Sequence, residues 1–297
     1  MSGFRGSYTV MITPFDAAGR LDEAGLRRFV DWQVGQGVHG LIPLGSTGEF
    51  LSLTREERAR VAAVVVEQAA GRVPVLVGTA AEWTDEAVAL SKEADRLGAH
   101  GVMVVPPYYS SPTEEEIFVH YRRIAEAISV PVMVYNNPFT SNVDLKAPLV
   151  ARLSEIDNIS YIKESSGSVP RTTEILRLCG DRMTVFAGYH PWEGYLVGAQ
   201  GYVSVFSNIA PALSAELFTT TVDRRDPEGG RRIYHGVLPL LDALSGDLYV
   251  SATKAALGLA GMPVGDPRPP RLPLPKARLE PLRDVLAALD LLETATA

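Results

Sequence analysis

Two kinds of segment alternate along the chain. Short runs rich in valine and isoleucine lie between glycine, proline and asparagine residues, which indicates buried strands. The longer stretches between them carry apolar residues at intervals of three and four, which predicts amphipathic helices. The strand candidates are residues 8–14, 39–44, 74–78, 101–105, 131–135, 159–163, 183–188 and 201–205. The helix candidates include residues 22–36, 55–70, 84–97, 114–128 and 171–178.

The ends of several helix candidates carry the expected terminal residues. Thr54 and Thr113 each precede an acidic first turn, as N-cap residues do. Gly37, Gly71 and Gly98 follow helix candidates, where glycine commonly ends a helix in the left-handed conformation. These residues support the boundaries that the apolar spacing predicts.

The order of the segments predicts the fold class. Strand candidates that are each followed by a helix candidate imply parallel strands joined by right-handed crossovers. Strands that are apolar throughout have both faces covered. Eight such units over about 225 residues are the size of a (β/α)8 TIM barrel. The competing fold is a doubly wound open sheet, and no Gly-x-Gly-x-x-Gly motif follows the first strand to favour its nucleotide-binding version.

The pattern becomes purely helical beyond residue 205. Helical spacing continues in residues 211–225, 231–244, 250–259 and 278–292. The proline-rich residues 262–275 are typical of a stiff connector, with a ligand for a polyproline-binding module as the alternative. We therefore expect a catalytic barrel in residues 1–225 and a C-terminal helical extension, packed on the barrel, in residues 226–297.

Composition narrows the possible partners and the compartment. The net charge of −7 argues against nucleic acid or an anionic membrane as the main partner. No apolar run approaches the roughly 20 residues that span a bilayer, and the N-terminus lacks the apolar region of a signal peptide. Cys179 is the only cysteine, so an intrachain disulfide is impossible and we expect a cytoplasmic protein.

One lysine stands out where barrel enzymes carry their chemistry, at the carboxyl ends of the strands. Lys163 ends an apolar strand, and burial there favours the neutral amine, which can attack a ketone carbon to form an imine. The alternative is a strand-end salt bridge with Glu164. The other lysines lie in helical or proline-rich segments, where we expect them to be solvated: Lys92, Lys146, Lys254 and Lys276.

Two other strand ends carry groups that could assist an amine. Tyr135 ends the fifth strand candidate, and its phenol could move protons during imine formation, or it could be a core tyrosine. The second strand candidate is followed by Gly45-Ser46-Thr47-Gly48-Glu49. Its glycines let backbone N–H groups approach an anion and its hydroxyls can donate to one, although the segment could also be an ordinary turn.

Together these residues resemble the family of N-acetylneuraminate lyase and dihydrodipicolinate synthase, which are class I, Schiff-base-forming aldolases. The matching motifs occur in the family's order and at similar spacing: Gly45-Ser46-Thr47-Gly48-Glu49, Tyr135-Asn136-x-Pro138 and Ile162-Lys163-Glu164-Ser165. The resemblance covers nearly the whole chain, including the C-terminal helices.

The resemblance implies roles for these residues. Lys163 would form the Schiff base with pyruvate or another 2-oxo acid. Ser46 and Thr47 would bind the substrate carboxylate, with Thr47 relaying protons, and Tyr135 would act as general acid and base. Tyr109 would reach the site of the neighbouring subunit in a homotetramer built as a dimer of dimers. Neither a metal nor an organic cofactor is implied, because the protonated imine is itself the electron sink.

Two positions depart from the best-known relatives. Thr140 stands where dihydrodipicolinate synthases carry an arginine that binds the carboxylate of aspartate semialdehyde, and a bidentate arginine is a strong partner for a carboxylate. His190 follows Tyr189 where neuraminate lyases carry acidic residues that bind sugar hydroxyls. His190 could act as an acid or base, donate to the substrate, or simply lie at the rim.

Ser165 also bears on the substrate, because family members that handle hydroxylated chains often have a hydroxyl residue there. We therefore expect cleavage, condensation or dehydration of a 2-keto-3-deoxy sugar acid or similar 4-hydroxy-2-oxo acid. One alternative is a 4-hydroxy-tetrahydrodipicolinate synthase that uses pyruvate and aspartate semialdehyde. The others are a non-catalytic relative that binds a 2-oxo acid and an unrelated phosphate-binding barrel enzyme. Besides Ser46 and Thr47, the expected substrate-binding residues are Ser165, Gly188, Tyr189, His190 and Val203.

Overall fold

The computed structural model describes residues 3–292, and its central feature is a ring of eight parallel strands. The strands are β1 Gly6–Val10, β2 Gly40–Ile42, β3 Leu76–Gly78, β4 Gly101–Val104, β5 Val132–Asn136, β6 Ile159–Glu164, β7 Thr184–Ala187 and β8 Gly201–Ser204. Hydrogen bonds join them in the order β2-β1-β8-β7-β6-β5-β4-β3.

The seam between β2 and β3 closes the ring. Leu41 forms a parallel bridge with Val75, and its N–H donates to the carbonyl oxygen of Pro74 at 2.9 Å. Farther along the seam, the Gly78 N–H donates to the carbonyl oxygen of Pro43, also at 2.9 Å. The sheet therefore has no free edge, which confirms the predicted (β/α)8 TIM barrel and excludes the open doubly wound sheet.

Helices follow every strand and continue beyond the last one. They are α1 Glu23–Gly35, α2 Arg55–Ala69, α3 Thr84–Arg96, α4 Glu114–Ala125, α5 Pro138–Ser141, α6 Ala147–Leu153, α7 Val169–Cys179, α8 Pro191–Leu196, α9 Pro211–Phe218, α10 Pro227–Ala243, α11 Tyr249–Leu259 and α12 Lys276–Ala288. The short helices α5, α6 and α8 have no counterpart among the helix candidates, because four to seven residues are too few to display a helical period.

The predicted helix ends are confirmed at several positions. Thr54 and Thr113 both form capping boxes, with Glu57 and Glu116 completing them. The first strand differs from its prediction, because it begins earlier and ends at Val10 rather than at residue 14. Beyond Val10 the backbone no longer follows the sheet. The Ile12 N–H donates instead to a side-chain oxygen, Asn208 Oδ1, at 3.0 Å.

Aromatic rings fill the amino-terminal half of the barrel interior. The rings of Tyr8 and Phe186 meet edge to face, with centroids 5.2 Å apart. A Cβ at Gly40 would collide with the Tyr8 ring, and a Cβ at Gly201 would collide with the Phe186 ring. The lower barrel is therefore a packed core, and only its carboxyl end can hold a substrate.

The C-terminal helices pack on the barrel and on each other. Helix α10 lies against α8, α9 and α12, and α11 lies against α12. The connector that precedes α12 touches the barrel, since the Phe15 N–H donates to the carbonyl oxygen of Val264 at 3.0 Å. A division of the chain at residue 225 stays a prediction, and residues 293–297 of the expected extension lie outside the described residues. No helix in residues 3–292 is long and apolar enough to cross a membrane.

Substitution of Gly201 tests the packed interior. We expect Gly201→Ala to lower the free energy of unfolding by about 1–3 kcal/mol, because the added methyl group has no room beside the Phe186 ring. Gly258→Ala is the matched control, since a Cβ there would meet nothing within 4 Å. We expect it to stabilise α11 by about 0.5–1 kcal/mol. Urea unfolding of both variants measures the difference, and equal effects would contradict this account of the interior.

Candidate active site

Lys163 lies at the carboxyl end of β6 with its side chain almost completely buried. Only 5% of the residue is exposed. In the sheet it pairs with Tyr135 of β5, and its Nζ atom lies 3.8 Å from the centroid of the Tyr135 ring. The structure therefore brings together the predicted nucleophile and the predicted general acid and base.

Glu164 is not the partner of Lys163. Successive side chains of a strand point to opposite faces, so the two residues face away from each other. The Glu164 carboxylate accepts hydrogen bonds from Asn136 Nδ2 at 2.9 Å and from the Ser166 N–H at 2.7 Å. The strand-end salt bridge considered as an alternative is therefore not formed.

The Tyr135 phenol is oriented by a residue that the sequence did not single out. Its hydroxyl oxygen accepts a hydrogen bond from Asn137 Nδ2 at 2.9 Å. Asn137 is buried, and its Oδ1 atom has no hydrogen-bond partner in the described part of the chain. The available signal was a second asparagine at the variable position of the Tyr-Asn-x-Pro motif. This arrangement holds the phenol beside the amine and leaves an acceptor free for a substrate.

The loop after β2 has an unusual backbone at both ends. Leu44 and Glu49 have φ angles of 62° and 57°, in the left-handed region that few residues other than glycine adopt. Between them the backbone passes so close to the barrel that a Cβ at Gly48 would lie 2.9 Å from the Met11 carbonyl oxygen. Thr47 is buried in this loop. Strained backbone of this kind persists where the surroundings impose it, and it is common at functional sites.

Tyr249, the first residue of α11, also belongs to the site. Burial raises the pKa of its phenol, while a hydrogen bond with the Thr47 side chain acts in the opposite direction. The phenol is also close enough to Tyr135 and Tyr189 for their charges to affect it. No sequence signal identified Tyr249, because it lies far from the motifs in a helix that was interpreted as accessory.

The end of β7 is built around a close contact. A Cβ at Gly188 would collide with the Ser165 hydroxyl, so only glycine fits there. Ser165 is buried, and within the described residues its Oγ atom has no hydrogen-bond partner. A buried hydroxyl without a partner carries a free-energy cost that a bound polar group can remove.

The remaining predicted site residues lie either in the wall of the barrel or at the rim of its carboxyl end. Val203 is buried in β8 and contributes an apolar side chain. Tyr189 is half exposed, and its ring meets the Phe139 ring edge to face at 6.4 Å. His190 is exposed and has a left-handed φ of 51° just before α8. Ser46 is partly buried in the loop beside Thr47.

Tyr109 makes little contact with the rest of its own chain, since 88% of the residue is exposed. Its loop follows β4 and is held by Glu82, whose carboxylate accepts from the N–H groups of Tyr108, Tyr109 and Ser110 at 2.8, 3.0 and 2.9 Å. Desolvation acts to raise the pKa of Glu82, but the hydrogen bonds from this loop outweigh it and lower the pKa to about 2. The loop is thus rigidly attached while the Tyr109 ring remains accessible.

Lys254 contradicts the expectation that it is solvated. It is buried in α11, and its Nζ atom forms an ion pair with Glu49 Oε1 at 2.9 Å. Burial lowers the pKa of Lys254, and the neighbouring Glu49 acts in the opposite direction. The expectation was wrong because a helical period shows that a helix has two faces, but not which partner covers each face.

The chain offers no metal centre in the part that the structure describes. Across residues 3–292, no group of three or more histidine, cysteine, aspartate or glutamate side chains could hold a metal ion. The polar groups that converge on the carboxyl end of the barrel are an amine, phenols, hydroxyls and an amide. That set is suited to binding a small oxygen-rich molecule and moving protons on it.

The pKa of Glu82 predicts a pH dependence of stability. Its folded value of about 2 lies below the roughly 4.3 expected in the unfolded chain. The contribution is therefore complete above about pH 5 and is lost as the pH falls toward 2. Because Glu82 is partly solvated, we expect only about 1 kcal/mol from this source.

Urea unfolding at pH 5.5 and pH 2.5 measures this contribution. Glu82→Gln should lose about 1 kcal/mol less than the wild type between the two values. Glu280→Gln, at an exposed position of α12, is the control. The assignment fails if Glu82→Gln retains the full wild-type loss.

The whole chain is similar to proteins of known family and structure. The model of the dihydrodipicolinate synthetase family matches residues 3–289. A relative from Syntrophobacter fumaroxidans, named 4-hydroxy-tetrahydrodipicolinate synthase, is 38% identical over 97% of this chain and 100% of its own. Dihydrodipicolinate synthase from Acinetobacter baumannii, solved with pyruvate, is 34% identical over 97% and 99% of the chains, with a TM-score of 0.94. A structure described as the first monomeric dihydrodipicolinate synthase variant is 33% identical over 97% and 98%, with a TM-score of 0.93.

Proposed function

Because the chain belongs to the dihydrodipicolinate synthetase family, we propose that it holds pyruvate as an imine on Lys163 and condenses it with an aldehyde. Enzymes of this family are class I aldolase-type lyases that use a lysine Schiff base. The main support for the proposal is the position of Lys163. Its side chain is buried, and its Nζ atom lies 3.8 Å from the centre of the Tyr135 ring. An amine beside a phenol can attack a carbonyl carbon and exchange protons with the phenol afterwards.

The first half of the reaction builds a nucleophile from pyruvate. The Lys163 nitrogen attacks the C2 carbonyl carbon, and Tyr135 supplies protons as the C2 oxygen leaves as water. The substrate carboxylate is held by the Ser46 and Thr47 hydroxyls and by backbone N–H groups of their loop. Loss of a proton from C3 then converts the protonated imine to an enamine, with the positive nitrogen accepting the electron pair.

The second half joins the two substrates. The enamine C3 atom attacks the aldehyde carbon, which forms a C–C bond and leaves a negative charge on the aldehyde oxygen. A proton reaches that oxygen from Tyr135, and in this proposal Thr47 and Tyr249 return a proton to Tyr135. Attack on the new imine carbon, by the amino group of the condensed aspartate semialdehyde or by water, then expels the Lys163 nitrogen as the free amine and releases the product.

The relatives support aspartate semialdehyde as the aldehyde. The relative from Syntrophobacter fumaroxidans is named 4-hydroxy-tetrahydrodipicolinate synthase, and the similarity extends over its full length. From the sequence we favoured a 2-keto-3-deoxy sugar acid and treated this synthase reaction as the alternative. The comparisons favour the alternative, and we adopt it as the main proposal.

Two residues support the sugar acid as a second candidate. Thr140 is exposed at the rim and cannot form the bidentate contact that an arginine makes with a carboxylate. Ser165 presents a buried hydroxyl that has no hydrogen-bond partner within the described residues, and a substrate hydroxyl would satisfy it. Retro-aldol cleavage or dehydration of such a substrate starts from the same imine on Lys163.

We further propose a cytoplasmic homotetramer, built as a dimer of dimers, in which Tyr109 completes the site of its partner. Exposed aromatic side chains near the rim support a contact there, because large apolar groups on a surface often mark an interface. They are Trp83, Tyr109 and Phe139. Because one similar structure is described as a monomeric variant, the number of subunits has to be measured for this protein. Sedimentation analysis tests it directly.

The choice of aldehyde is tested by turnover with both substrate classes. We expect the wild type to consume pyruvate when aspartate semialdehyde is present, and Lys163→Ala to be inactive. Thr140→Arg should lower the KM for aspartate semialdehyde by about tenfold, because it adds a charge-assisted contact to the carboxylate. Cleavage or dehydration of a 2-keto-3-deoxy sugar acid, without condensation of aspartate semialdehyde, would instead establish the second candidate.

Tyr135→Phe tests the proton-transfer step. We expect kcat to fall by about 10²–10⁴-fold, the usual contribution of general acid–base catalysis, while thermal unfolding changes little. Tyr161→Phe is the matched control, because Tyr161 also lies in the barrel but its hydroxyl accepts from the Phe4 N–H at 3.2 Å, away from Tyr135. It should cost stability and spare turnover. Near-normal turnover of Tyr135→Phe would remove Tyr135 from the mechanism.

A further inference from the structure

We propose that the buried ion pair between Glu49 and Lys254 positions the Ser46–Thr47 loop for the substrate carboxylate. Lys254 would then be a positioning residue, supplied to the barrel by the C-terminal helices. The inference rests on the proposed function, since it presumes that the loop binds a 2-oxo acid. It gives a role to the second buried lysine of the chain, which the proposed reaction does not use.

The pair is fully enclosed. The side chains of Lys254 and Glu49 are 2% and 0% exposed, with Nζ and Oε1 2.9 Å apart. The Lys254 ammonium also donates to the Asp266 carbonyl oxygen at 3.1 Å and lies 4.1 Å from the centre of the Phe15 ring. Its contacts are thus a carboxylate, a carbonyl oxygen and an aromatic face, all of which favour the charged form.

Glu49 is held at both carboxylate oxygens by the C-terminal part of the chain. While Oε1 meets Lys254, Oε2 accepts from the Arg268 N–H at 2.9 Å. Arg268 is itself anchored to the barrel, because its guanidinium forms two 2.6 Å hydrogen bonds with Glu57 at the start of α2. Helix α11 and the connector therefore act together on the residue that ends the loop.

The loop needs such an anchor because of its backbone. Glu49 is in the left-handed region with a φ of 57°, which is unfavourable for a residue with a side chain. It directly follows Thr47 and Gly48, and a glycine does not restrict the backbone by itself. The Thr13 hydroxyl also contacts this end of the loop and donates to the Gly48 carbonyl oxygen at 2.7 Å. If Glu49 were released, the backbone that carries Thr47 would be held less firmly, and the Thr47 hydroxyl would be less precisely placed relative to Lys163.

Stability alone does not explain why this pair exists. Taking two charges out of water costs about as much as their attraction returns, so a buried ion pair is often no more stable than well-packed apolar residues. Loss of one partner leaves an unpaired buried charge and destabilises the fold whatever the role of the pair. Loss of both partners removes that penalty. The double variant therefore separates stability from positioning.

The experiment compares two substrates that differ only in the carboxylate. The enzyme is incubated with pyruvate or with methyl pyruvate and reduced with cyanoborohydride, and the half-saturating concentration for adduct formation is measured. The variants are Lys254→Met and the double variant Glu49→Gln/Lys254→Met. Glu23→Gln is the control, because it removes an ion pair with Arg60 that joins α1 to α2 and leaves Glu49, Lys254 and Arg268 in place.

We expect the double variant to recover the melting temperature that Lys254→Met loses. Its half-saturating concentration for pyruvate should stay raised by about tenfold, roughly the loss of one charge-assisted hydrogen bond, while that for methyl pyruvate stays within about twofold. Glu23→Gln should match the wild type with both substrates. The positioning role would be overturned if the half-saturating concentrations for pyruvate and methyl pyruvate rose equally. It would also be overturned if the double variant kept the wild-type preference for pyruvate over methyl pyruvate. If the wild type forms no adduct with pyruvate, it is the proposed function that fails.

Discussion

The burial of an amine at the carboxyl end of a closed barrel is the constraint on which the site depends. The Tyr8 and Phe186 rings pack the interior of the barrel, and Lys163 lies near the carboxyl end of β6. There it meets the face of Tyr135 instead of a carboxylate, because the neighbouring Glu164 points to the other side of the sheet. An amine without an anionic partner in a buried position is suited to nucleophilic attack.

The chain uses its two buried lysines in opposite ways. Lys163 lies beside a phenol, while Lys254 is paired with Glu49 and its ammonium is enclosed. The first is the proposed nucleophile, and the second ties α11 to the loop after β2 through its ion pair. The C-terminal helices are therefore more than a cover for the barrel, because they contribute Lys254 and also Tyr249, whose phenol meets Thr47.

The barrel and the core of the site could be predicted from the sequence because both follow from strand order. The carboxyl ends of parallel strands meet at one end of a barrel, so strand order alone predicts that Lys163 and Tyr135 lie at the same end. Tyr249 and the ion pair of Lys254 could not be predicted, since apolar spacing does not reveal which surface a helix covers. A role for Tyr109 depends on a second chain, which no pattern within one chain describes.

The most direct measurement locates the imine among the lysines. The protein is reduced with borohydride in the presence of pyruvate, digested, and mapped by mass spectrometry. Our account predicts that the adduct is confined to the peptide that contains Lys163, and that the peptide with the equally buried Lys254 is unmodified. An adduct on Lys254, or none on Lys163 at saturating pyruvate, would contradict it.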